Sequence, residues 1–226
     1  GIRHITLPLA SKNPLVIRRN ARKLEAIIRE QRVDIVHARS RAPAWSAWLA
    51  CRRTGAHYVT TFHAPYNYKN GLKRWYNSIM ARGERIIANS DYVHRHILEN
   101  YEVDPARVRT IHRGIDPATF APDRVSSVRL IQLSKQWRLP DDKRVILLPG
   151  RLTRWKGQTV LIDALAKLGR KDVCALLVGS DQGRTGYRQE LEERIRKAGL
   201  DGVVKMTDHC NDMAAAYRLS AVVVSA

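Results

Sequence analysis

The sequence predicts an α/β fold built as two parallel sheets, one in each half of the chain, both covered by helices. Three observations carry that expectation. Short apolar or β-branched runs alternate with amphipathic helical runs along the 226 residues. The alternation breaks once, over residues 116–142, where Pro117, Pro122, Pro140 and a "DD" pair punctuate the chain, and then it restarts. No repeat of solenoid period and no low-complexity tract interrupts the pattern. The expected division is a first domain over residues 1–115, a linker over 116–142 and a second domain over 143–226.

"RHITLPL" (3–9) reads as a strand. Residues 14–31 read as a helix, because Ile17, Ala21, Leu24 and Ile28 share one face and Pro14 suits a first turn. "VDIVHA" is a short strand, and a helix over 43–53 opens with Pro43. "HYVTTFH" is β-branched and aromatic, hence a strand. A helix near 71–82 precedes the strand "RIIANS". "DYVHRHILENY" is helical until Asp104-Pro105, and "RVRTIHRGID" is a strand running into a turn. The linker holds one helix near 125–137. After it come strand 144–149, helix 157–168, strand 173–178, helix 186–198, strand 203–206, helix 211–219 and a buried-type strand over 221–225.

Composition narrows the class. No run of about 18 apolar residues occurs, so no transmembrane helix is expected. No signal-peptide pattern opens the sequence. Cys51, Cys174 and Cys210 are odd in number and widely spaced, which fits a reduced cytosolic protein with ordinary small hydrophobes at all three. The net charge of +19 is the strongest signal. It favours anionic partners: nucleic acid, an acidic membrane surface or phosphorylated substrates. Residues 1–120 hold 21 basic and 9 acidic residues, and residues 121–226 hold 19 and 12, so both halves share the excess.

In open parallel sheets, ligands sit beyond the carboxyl ends of the strands. "PGRLTRWKGQ" occupies such a place. Gly150 allows a tight turn, Arg151 and Lys156 flank a short loop, and a helix starts near Gly157. Two cations at a helix N-terminus suit an anion, Arg by a fork of donors and Lys as a point charge. A solvated loop in a basic protein is the competing reading. His63 ends a strand beside Tyr66 and Tyr68; it suits substrate contact, acid–base work or mere strand capping. Arg39, Ser40 and Arg41 follow a strand as an anion or hydroxyl site, or as solvated charges. Gly114 and Asp116 fit a local turn, and Gly179 and Gly183 a weak ligand-approach loop. No ligand-spaced His cluster occurs, so no metal is expected.

Taken together, "TFH", "IIANS", "VRTIHRGID", "ILLPGRLTRWKGQTVLIDAL", "ALLVGS" and "MAAAYRLSAVVVSA" resemble a retaining glycosyltransferase of the GT-B fold, family 4, across nearly the whole chain. The "GRL…KG" segment is the most specific. The resemblance implies two Rossmann-like domains with a nucleotide-diphosphate sugar as donor and no other cofactor. It places Arg151 and Lys156 at the diphosphate, Gly150 and Gly179 near the donor, and His63 near the transferred sugar. It leaves Arg39, Ser40 and Arg41 as acceptor-side candidates. The family usually has Asn where this chain has Arg113. Its paired glutamates would follow Ala226, and its Gly-rich first loop would precede this chain. Both domains are therefore expected to be incomplete, and the chain inactive by itself.

The implied acceptor is a glycan or lipid-linked molecule of the cell envelope, such as lipopolysaccharide core, at the cytoplasmic face of the membrane. Arg18, Arg19, Arg22, Lys23 and Arg29 lie off the apolar face of helix 14–31 and would suit anionic lipid. Competing functions are a sugar-nucleotide epimerase or phosphorylase, a non-catalytic remnant, and a basic nucleic-acid-binding protein. No nucleic-acid module is recognisable, and the aromatics do not interleave with the cations, so nucleic acid is not expected as the partner.

Overall fold

The computed structural model describes residues 3–225. The chain forms two compact units that divide between Gly114 and Ile115. In the first unit, helix α1 (Pro14–Glu30) begins where Asn13 accepts a hydrogen bond from the Leu15 amide at 2.9 Å. Strand β1 (Ile35–Ala38), helix α2 (Arg41–Thr54) and strand β2 (His57–Phe62) follow. Helix α3 (Gly71–Asn77) runs into a 3₁₀ turn, and β3 (Arg85–Ala88), α4 (Asp91–Asn100) and β4 (Val108–Thr110) complete the unit. The sheet is parallel throughout, in the order β1-β2-β3-β4. Phe62, Ile79, Met80, Ile86 and Ile97 are fully buried at its centre. On α1, Ala21 and Ile28 are buried and Ile17 and Leu24 pack against that core, as their spacing requires.

The second unit opens with helices α5 (Pro117–Phe120) and α6 (Ser127–Trp137). Strand β5 (Arg144–Pro149), helix α7 (Gln158–Leu168), strand β6 (Val173–Val178), helix α8 (Thr185–Lys197), strand β7 (Val204–Thr207), helix α9 (Met213–Leu219) and strand β8 (Val222–Val223) follow. The sheet is again parallel, in the order β7-β6-β5-β8. Every residue of β6 is buried. Val173, Ala175 and Leu177 enter one core cluster, and Cys174, Leu176 and Val178 enter another. That alternation follows from the two-residue period of a strand buried on both faces.

Three expectations change. Residues 3–9 form no strand. Pro8 has no amide to donate, its carbonyl accepts from the Asn20 side chain at 2.9 Å, and Ile5 is exposed. Residues 116–142 belong to the second unit and are folded: Val125, Leu133 and Trp137 are buried in its core. Arg129 grips Asp212 at the start of α9 with two hydrogen bonds of 2.8 and 2.6 Å. The strand expected over 221–225 is confined to β8, which among the described residues pairs only with β5 and leaves both valines about half exposed. All three cysteines are free thiols, and burial raises the Cys51 thiol to about 11.

Candidate active site

The loop after β5 is held from below. Leu152 is fully buried, and the Gly150 and Leu152 amides donate to the Val178 and Ser180 carbonyls at 2.8 and 3.1 Å. Gln158, at the first turn of α7, has no exposed surface. Its amide donates to the Arg151 carbonyl at 2.9 Å, and its carbonyl oxygen accepts from the Tyr187 hydroxyl at 3.3 Å. A buried amide used on both sides fixes the backbone that carries Arg151. A Cβ on Gly179 would lie 2.3 Å from the Gly150 carbonyl oxygen, so the ends of β5 and β6 approach as closely as two main chains can.

The cations of this loop face outward. Arg151 and Lys156 are exposed, and neither has a carboxylate partner among the described residues. Neighbouring arginines are neutralised: Arg154 by Glu190, Arg188 by Asp181 and Asp208, and Arg194 by Asp163. Arg151 instead donates to the Gln182 side-chain oxygen at 3.2 Å, and its guanidinium lies 5.9 Å from the exposed Trp155 ring. Lys156 lies along Gly150, its Cδ 3.4 Å from where a Cβ would be. Arg184, which sequence reasoning did not single out, donates to the same Gln182 oxygen at 3.1 Å. The arrangement is a preplaced, unneutralised cation pair at a helix start, able to stabilise negative charge on a bound phosphate group.

In the first unit His63 stands just past β2, at an open cavity of about 410 Å³. Its carbonyl accepts from the Asn89 amide at 2.9 Å, just past β3. Arg39, just past β1, brings Nε to 3.2 Å from His63 Nε2. Arg113 brings a guanidinium nitrogen to 2.9 Å from His63 Nδ1. Burial lowers the His63 pKa, and Arg113, Arg39 and His37 lower it further. The parallel register explains the meeting: Ala38 pairs with Thr60 and Phe62 with Ala88, so residues following these strands share one sheet edge. Arg41 goes elsewhere. It donates to Asn77 Oδ1 at 2.8 Å and stacks 4.6 Å from the Tyr66 ring centroid. Ser40 sits at the start of α2 without a side-chain cap bond. Of the three expected acceptor-side residues, only Arg39 lines the His63 cavity.

Comparison with known proteins follows the same division. Residues 1–119 match the family model described as Glycosyltransferase Family 4, and residues 131–226 match Glycosyl transferases group 1. The chain belongs to glycosyltransferase family 4. A D-inositol 3-phosphate glycosyltransferase of Thermobifida fusca is 27% identical over 213 residues, covering 84% of this chain and 48% of the relative. The chain thus spans about half the length of that relative. The crystal structure of a glycosyltransferase from Rickettsia africae is 38% identical, with a TM-score of 0.88, over 100% of this chain and 59% of the other. Anabaena Alr3699/HepE in complex with UDP-glucose shares the fold, at a TM-score of 0.80 and 23% identity over 97% of this chain and 58% of the other. The two sheets are those of the GT-B architecture.

Proposed function

We propose that this chain carries the donor-diphosphate loop and part of the acceptor side of a glycosyltransferase that uses a nucleotide-diphosphate sugar. One observation supports the reading most: Arg151 and Lys156 stand without carboxylate partners among the described residues on the one loop that joins the end of β5 to the start of α7, where Gly150 and Gly179 bring two strand ends together. A departing nucleotide diphosphate gains charge in the transition state, and two preplaced cations stabilise it. In this proposal no metal is needed at the donor, the anomeric configuration is retained, and His63 contacts the transferred sugar. The acceptor is proposed as a glycan or glycolipid of the cell envelope, lipopolysaccharide core being one such molecule, reached from the cytoplasmic side. The exposed Arg18, Arg19, Arg22 and Lys23 of α1 support peripheral contact with anionic lipid there. A second acceptor reading is favoured by the curated relatives, whose name specifies an inositol 3-phosphate.

The test is a panel of nucleotide diphosphates and nucleotide sugars, read by thermal shift on this chain and by turnover in the full-length enzyme. Arg151→Ala or Lys156→Ala is expected to lower turnover by about two to four orders of magnitude. Unchanged kinetics in both variants removes the assignment. Cosedimentation with anionic vesicles, lost at high salt, tests the membrane contact.

A further inference from the structure

We infer that the cavity around His63 is a phosphate subsite, which holds a phosphate group on the acceptor between Arg39 and Arg113. The inference rests on the glycosyltransferase reading and adds the chemistry of the acceptor and the residues that grip it.

The argument starts from donors and acceptors. An arginine side chain only donates, and a neutral imidazole accepts at one nitrogen and donates at the other. Here both ring nitrogens of His63 face a guanidinium, Nε2 toward Arg39 at 3.2 Å and Nδ1 toward Arg113 at 2.9 Å. Whichever tautomer forms, one arginine N–H meets a ring N–H. Protonating the ring makes matters worse, since three cations then crowd one edge. Nothing nearby relieves this. The rest of the cavity lining is His37, Thr61, Asn89, Ile111, His112 and Gly114, and no carboxylate is among them. His37 is itself engaged with the Thr61 hydroxyl at 2.7 Å. The two guanidinium groups that face His63 share the single acceptor nitrogen of its ring.

A phosphate monoester reverses that imbalance. Its three terminal oxygens accept from both guanidinium forks and from a ring N–H at once, and its charge offsets the two arginines. The low proton affinity of His63 in the free protein then rises on binding, so the ring takes up a proton as the anion enters. The wall also carries an unmatched acceptor. Asn89 Oδ1 is buried without a hydrogen-bond partner among the described residues, while its Nδ2 donates to the His63 carbonyl. An acceptor short of a donor beside donors short of an acceptor suits a phosphorylated polyol, whose hydroxyls donate and whose phosphate accepts.

The experiment uses this chain carrying Arg151→Ala and Lys156→Ala, so that the second anion loop is silent. Glycerol 3-phosphate is titrated in solution, glycerol serves as the uncharged control, and vesicles containing phosphatidic acid form a parallel arm. Binding is read by calorimetry and by NMR of the His63 ring. The expected result is binding of the ester and not of glycerol, a rise in the His63 titration midpoint, and about tenfold or greater weakening when Arg39→Gln and Arg113→Gln are added. Binding in solution assigns a free phosphorylated acceptor. Binding seen only on vesicles, and lost in the same variants, assigns a lipid headgroup. Absence of binding in both arms, or affinity unmoved by the two glutamines, overturns the proposal. Circular dichroism of the variants separates loss of the site from loss of the fold. Nucleotide-diphosphate binding to the chain with Arg151 and Lys156 intact is measured alongside. Its failure removes the donor assignment without touching this one, and its success with no phosphate binding does the reverse.

Discussion

Gly179→Ala tests whether the donor loop depends on the contact between the ends of β5 and β6. The added Cβ would sit 2.3 Å from the Gly150 oxygen and 2.6 Å from its carbonyl carbon. Ordinary contact begins at 3.4 Å, so the strand ends must part by about 1 Å. Both obstructing atoms are backbone, and no rotamer change relieves them. Inserted methyls in packed sites cost about 1–3 kcal/mol, and a main-chain clash belongs at the upper end. A loss of ~3 kcal/mol lowers the melting temperature of a unit this size by about 10–20 °C. The same shift moves the Gly150–Arg151 peptide, so nucleotide-diphosphate affinity falls as well. Gly202→Ala is the control: its φ is +78°, nothing lies within 4 Å, and only the left-handed backbone is penalised, by about 1 kcal/mol. Calorimetric melting and a nucleotide titration on both variants decide. If Gly179→Ala melts no lower than Gly202→Ala and binds as the parent does, the close approach is not what shapes the loop.

Gln158→Leu keeps the volume of the buried side chain but strips the partners of the Arg151 carbonyl and the Tyr187 hydroxyl. A loss of about 1–3 kcal/mol is expected, with weaker nucleotide binding in protein that still folds; equal affinity would separate Gln158 from the loop. The His63 ring is expected to titrate below 6.5 in the folded chain, and Arg113→Asn to raise its midpoint, by imidazole NMR. A lowered folded value means the neutral ring stabilises the fold above the unfolded pKa, and this contribution is lost as pH falls through the folded one. Thermal melts from pH 7.5 down to 5 check that sign. Asp212→Ala removes the cap on the Ala215 amide and both bonds from Arg129, and a loss of about 1–2 kcal/mol is expected. Wild-type stability would show that α6 is not tied to α9 through this pair.

What was legible in the sequence is what is local. The loop from β5 to α7 lies within one stretch of chain, where an apolar run, a glycine, two cations and a helical pattern follow in order. Its partners were not legible: Gln182 reaches Arg151 from the next strand–helix unit, and Arg184 donates to the same Gln182 oxygen. The His63 cluster shows the same limit more sharply. Arg39 is 24 residues before His63 and Arg113 is 50 after it. Parallel pairing brings Arg39 to that edge, and pairing register is not written in either strand alone. In the sequence, Arg113 stands out only as a departure from the family pattern. Two local signals point away from the fold. Period-two apolar residues at 3–9 suggested a strand that the unpaired edge of β1 and Pro8 do not support. Prolines around 116–142 suggested a linker, although Leu130, Leu133 and Trp137 recur at helical spacing and pack into the second unit.

Trp155 gives the donor loop an optical property. Its ring is 70% exposed and lies beside the Arg151 guanidinium, the group expected to move when an anion arrives. Trp45 and Trp137, by contrast, are buried in the cores of their units. A charge drawn away from an indole face alters its emission, so occupancy of the loop can be followed as intrinsic fluorescence, without label or turnover. Trp155→Phe should silence that signal while leaving the two cations in place.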